Sequence, residues 1–86
     1  MKTDDFELVD LGEGRWSIRL PSDYEGSTQR IAYIHREFAN GEERFRVDSH
    51  APVPRDAPPF DPYYCSVSEA FEKFKLWLRS ASPEYR

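Results

Sequence analysis

The chain has 86 residues, enough for one domain with a thin core and no second one. Its single cysteine, Cys65, excludes an intramolecular disulfide framework, and its longest apolar runs are far too short for a membrane-spanning helix. The net charge of −4 sits entirely in residues 1–14, where Lys2 faces five acids, so overall acidity does not exclude an anionic partner for the rest of the chain.

Phe6 to Leu11 reads as a first strand and Gly12-Glu13-Gly14 as the turn after it. Phe6 and Leu8 lie on one face and Val9 and Leu11 on the other, so both faces are apolar. Pattern alone leaves open which set sits beside the next strand. Arg15 to Leu20 alternates strictly, with Trp16, Ile18 and Leu20 on one face and Arg15, Ser17 and Arg19 on the other. Pro21 ends this strand by removing a ladder donor, and a polar loop runs over residues 21–28.

Gln29 to Ala39 and Glu42 to Ser49 form a hairpin around Asn40-Gly41, a dipeptide suited to the positive φ values of a type I′ turn. A two-residue loop pairs Ala39 with Glu42, Glu37 with Arg44, His35 with Arg46, Ile34 with Val47 and Tyr33 with Asp48. Ala32, Ile34, Phe38, Phe45 and Val47 then share the core face. Tyr33, His35, Glu37, Arg44, Arg46 and Asp48 share the wet one.

Residues 50–65 carry five prolines and read as an extended crossover, with Phe60, Tyr63 and Tyr64 pinning its end to the sheet or helix. A helix follows over 66–82, opened by the capping box Ser66-Val67-Ser68-Glu69 and stopped by Pro83. Its apolar stripe is Val67, Ala70, Phe71, Phe74, Trp77, Leu78 and Ala81. Leu76 lies about 180° from Val67 on the helical wheel, among charged residues.

The expected fold is one α+β domain over 1–86. An antiparallel sheet of three to four strands (6–49) is followed by the crossover and by one amphipathic helix packed on the sheet's apolar face. The expected core is Trp16, Ile18, Leu20, Ile34, Phe38, Phe45, Val47, Phe71, Phe74 and Leu78.

Catalytic chemistry finds little support. Cys65 precedes a helix N-terminus, but neither His35 nor His50 has a spacing that links it as a base, and the bland role is a staple residue packing toward Ala70. One cysteine and two distant histidines match no metal-ligand spacing, and Gly12-Glu13-Gly14 lacks the following helix of a phosphate loop. No catalytic residue, metal or cofactor is expected. Pro59-Phe60-Asp61-Pro62 fits a proline-rich ligand motif only loosely.

The richer constellation is the wet sheet face, where strands three and four gather Tyr33, His35, Arg44 and Arg46, joined by Arg15 and Arg19 if strand two lies beside them. Arginine forks and flat rings suit nucleic acid, whereas cross-strand pairs such as Glu37–Arg44 would make the same face a merely solvated one. Arginine and aromatic residues also dominate protein-binding hot spots, with Leu76 and Trp77 as further anchors. The leading expectation is a non-enzymatic module that contacts another protein, as adaptor, inhibitor or subunit. The alternative is a nucleic-acid-binding domain. Homodimerisation through sheet edges is a further option, and no membrane contact is expected. The lone cysteine, and the lack of an apolar run after Met1-Lys2-Thr3, lead to an expected cytoplasmic location.

Overall fold

A computed structural model describes residues 5–21, 28–50, 53 and 55–81, with residues 20, 21 and 28–30 described by their backbone. Five antiparallel strands run in sequence order: β1 (Glu7–Gly12), β2 (Arg15–Pro21), β3 (Thr28–Ala39), β4 (Glu42–Ser49) and β5 (Tyr63–Tyr64). One helix, α1 (Val67–Ala81), packs against β4 and β5. The expected α+β fold is therefore observed with one strand more.

The long hairpin adopts the expected register at every pair, from Ala39 opposite Glu42 to Tyr33 opposite Asp48. Asn40 (φ 54°) and Gly41 (φ 81°) both take positive φ, as the two-residue turn demands. The first hairpin is also settled: Leu8 pairs with Ile18, and Phe6 is buried, so the Phe6/Leu8 set shares the core face of Trp16 and Ile18. Its turn ends close beside β3. The Gly14 carbonyl accepts from the Arg36 amide at 2.8 Å, and a Cβ on Gly14 would meet the Arg36 Cβ at 3.2 Å.

β5 is the additional strand. The crossover was expected to contain none, yet its last residues pair Tyr64 with Phe45 and Tyr63 with Arg46, and Pro62 accepts from the Val47 amide at 2.8 Å. The prolines end at Pro62, so the chain regains amide donors at Tyr63, whose N–H donates to Asp61 Oδ1 at 3.1 Å, and at Tyr64, which lies opposite Phe45. Pro21 and Thr28, expected as the ends of a polar loop over 21–28, instead pair with each other as the last residue of β2 and the first of β3. Prolines 52 and 54 and residues 22–27 lie outside the described residues.

The core is built from Phe6, Ile18, Ile31, Ala32, Ile34, Phe45, Val47, Ala70, Phe74 and Leu78, with Trp16 and Phe71 half-buried around it. Complete burial of an Ile, Leu or Phe side chain contributes roughly 1.5–3 kcal/mol. Leu20 was expected here too, but its side chain lies outside the described residues. Phe38 departs from expectation: it is 68% exposed. β2 pairing stops at Arg15–His35, and α1 contacts the sheet at β4 and β5, so the hairpin tip carrying Phe38 projects past both. Its ring meets the Arg36 guanidinium at 5.8 Å instead.

Ile31 is the converse. Alternation from Ala32 turns it outward, yet it is 1% exposed. A bulge explains this, since Ile18 pairs with Ala32 and Arg19 with Arg30, leaving Ile31 as an extra residue. The interrupted alternation lets neighbours Ile31 and Ala32 both be buried.

α1 opens on its expected cap, with Ser66 Oγ accepting from the Glu69 amide at 3.1 Å. Ala70, Phe74, Leu78 and Ala81 are its buried residues, at the expected helical spacing. The end expected at 82 and the stop at Pro83 lie outside the described residues. Phe60 pins the crossover to the helix through ring contacts with Trp77 (5.0 Å) and Phe74 (5.9 Å).

Candidate functional site

The molecule measures 42 × 32 × 18 Å, and its short dimension accommodates one sheet layer and one helix layer. With α1 on the core face, the other face of the sheet carries no described element. Pleating sends Val9, Arg15, Ser17, Arg19, Tyr33 and His35 to this outer face. Glu37, Arg44, Arg46 and Asp48 join them from the long hairpin.

The outer face is not uniformly wet. Ser17 is fully buried there, flanked by Val9 and Tyr33 on the neighbouring strands, and its hydroxyl accepts from Arg19 Nε at 3.2 Å.

A cleft of about 400 Å³ opens on this face, lined by Leu11, Arg15, Tyr33, His35, Asp48 and His50. Arg15 pairs with His35 and Tyr33 with Asp48 across neighbouring strands, which brings β2, β3 and β4 to one place. Leu11 reaches the cleft from an irregularity between Asp10 and Gly12, where the Asp10 carboxylate accepts from the Gly12 amide at 2.7 Å. The Tyr33 ring meets His50 edge to face at 5.6 Å and lies 6.1 Å from the tilted His35 ring. His50 Nε2 lies 3.5 Å from Asp48 Oδ2, an ion pair when the imidazole is protonated.

Of the six residues expected to gather on the sheet face, Arg15, Tyr33 and His35 line the cleft. The other three arginines have other partners. Arg46 Nε donates to Glu37 Oε1 at 2.6 Å, and Arg44 reaches Glu42 at 3.3 Å along its own strand. Arg19 donates to Ser17. The Glu37 hydrogen bond, reinforced by the charges of Glu37 and Asp48, raises the Arg46 pKa above the ordinary guanidinium value. The pairing expected between Glu37 and Arg44 is thus replaced by a diagonal one, because Glu37 lies within reach of Arg46 one pleat further along β4.

Leu76 and Trp77 stand apart from this face. Leu76 is 53% exposed on the solvent side of α1. Trp77 is half-buried, donates its indole N–H to the Pro58 carbonyl at 2.8 Å and meets the Phe60 ring at a 38° tilt. Cys65 is exposed, so it forms no buried staple beneath Ala70. No group of three metal-ligating side chains occurs among the described residues, and no described helix is long and apolar enough to cross a membrane.

The sequence pattern missed Leu11 and His50 as cleft residues. A signal for Leu11 was present in its shared parity with Val9, but it depended on the unsettled first register. His50 lies one residue past β4, beyond the reach of strand alternation. Comparison with protein-family models, with curated proteins and with solved structures gives no match to this chain.

Proposed function

We propose that this chain is a non-enzymatic binding module that contacts another protein through the outer face of its sheet. The observation that carries the reading is the cleft in that face, where Tyr33, Leu11 and the two imidazoles offer apolar and aromatic area around Arg15. Such a mix of ring, aliphatic and guanidinium surface suits a protein partner, whose side chains are themselves mixed.

A nucleic-acid partner is less well served. Arg44 and Arg46 are each answered by a glutamate, so two of the four arginines described on this face have their charge compensated, and Arg19 spends its Nε–H on Ser17. Phosphate recognition draws on uncompensated positive charge.

The test is comparative capture from a native lysate. The chain should enrich a protein that is lost with Arg15→Ala/Tyr33→Ala and retained with Leu76→Ala. Equal capture by all three forms, or none, would overturn the reading. Titration with labelled DNA and RNA at low and moderate salt checks the alternative: tight, steeply salt-dependent binding abolished by Arg44→Ala/Arg46→Ala would replace it.

A further inference from the structure

We infer that the cleft reads a carboxylate carried next to an apolar group, and that its occupant is the C-terminal residue of a partner protein. This rests on the protein-contact reading of the outer face and deepens it. Arg15 makes no ion pair among the described residues, while it lines the cleft. A guanidinium fork matches a carboxylate in two parallel hydrogen bonds.

The walls select what the carboxylate is attached to. Leu11, Tyr33 and His35 supply the apolar and ring surface beside Arg15. About 400 Å³ lies at the small end of the usual range of ligand pockets, roughly 300–1,000 Å³, and suits one or two residues rather than a long segment. A chain terminus brings charge and side chain together within one residue, as this arrangement requires.

Asp48 sits across β3 from Ser17, close to His50 and on the far side of Tyr33 from Arg15. Its carboxylate repels a second anion there and accepts from an amide N–H further back along the bound chain. The cleft therefore has a polarity: cation at the Arg15 end, hydrogen-bond acceptor at the Asp48 end. An extended dianionic ligand fits this less well than a peptide end.

The probes are acetyl-Gly-Gly-Phe with a free carboxylate, the same peptide as its C-terminal amide, and acetyl-Gly-Asp-Phe-amide, titrated into the isotopically labelled full chain. The free acid should shift the amide resonances of residues 15, 33, 35 and 48. The C-terminal amide should bind at least about tenfold more weakly, and so should the free acid to Arg15→Gln, with partial recovery in Arg15→Lys. Arg15 is exposed, so these variants should keep the spectrum of the folded chain outside the cleft. Stronger binding of the internal aspartyl peptide would overturn the terminal occupant. Equal binding of acid and amide, no effect of Arg15→Gln, or no shifts at millimolar peptide would overturn the carboxylate site itself. If partner capture still depends on Arg15 and Tyr33 in those cases, the contact face stands without the pocket; if capture fails while the free acid binds selectively, the pocket stands without the contact face.

Discussion

Trp77 donates its indole N–H to the carbonyl of Pro58 at 2.8 Å and lies against Phe60, so one helix residue holds the crossover twice, by a polar contact and by a ring. The two should be separable. Trp77→Phe keeps an aromatic ring and loses the donor, and should cost about 1 kcal/mol. Trp77→Ala loses both and should cost roughly 2–4 kcal/mol, reduced from a full core value because Trp77 is half-buried. Urea unfolding of both variants decides. A Trp77→Phe protein as stable as the parent would mean that the Pro58 contact adds nothing.

Ile31 and Phe38 reverse the expectation from alternation, and mutation should follow burial rather than parity. Ile31→Ala should cost about 2–4 kcal/mol, while Phe38→Ala should fall within about 0.5 kcal/mol of the parent. Equal costs at the two positions would count against the bulge that separates Ile31 from Arg30 pairing.

The hairpin turn offers a clean backbone test at Gly41. A Cβ there meets no atom within 4 Å, so any penalty of Gly41→Ala comes from its φ of 81° alone. The expected loss is about 1–2 kcal/mol. A D-alanine introduced by chemical synthesis should recover most of it, since the mirror-image residue favours positive φ. Failure of D-alanine to recover stability would point to some cost other than handedness.

Glu37 and Arg46 form the shorter of the two arginine–glutamate pairs on the outer face, at 2.6 Å, but their side chains are 40% and 35% exposed. Solvent screening limits the pair, so a double-mutant cycle should give a coupling of roughly 0.3–1 kcal/mol, falling as salt is raised. The same cycle on Glu37 and Arg44 should give a value near zero. A larger coupling with Arg44 would restore the straight cross-strand pairing.

Tyr64 makes stability sensitive to alkali. Burial, with Asp61 and Glu69 adding, raises its phenol pKa above the ordinary value of 10.0. The folded chain therefore keeps this proton to a higher pH than the unfolded chain does. The stability involved is fully present below about pH 10 and is lost as pH rises through the raised folded value. Urea midpoints measured from pH 8 to 11.5 should fall less steeply for Tyr64→Phe than for the parent. Parallel curves would remove Tyr64 from the alkaline response.

Local chemistry was enough to determine a good deal. Asn40-Gly41 dictated a turn, the turn dictated every pair of the long hairpin, and Ser66 and Glu69 marked where the helix begins. These features depend on residues a few positions apart, whose backbone preferences act before any distant contact forms. The placement of Tyr33 and His35 on one face of β3 followed from the two-residue period, whereas Arg15 joins them through the β2–β3 register, which the tertiary structure decides. What depended on distant parts of the chain was decided only by the tertiary structure. The helix covers the sheet near β4 and β5 and leaves Phe38 in solvent; a bulge buries Ile31; the backbone from Pro62 onward pairs with β4 and adds a fifth strand. The three arginines beyond Arg15 are paired by side-chain reach across and along strands, which strand parity does not encode. The cleft itself arises where strand ends and an irregularity converge, so Leu11 and His50 enter it through geometry that neither residue's neighbours in sequence specify.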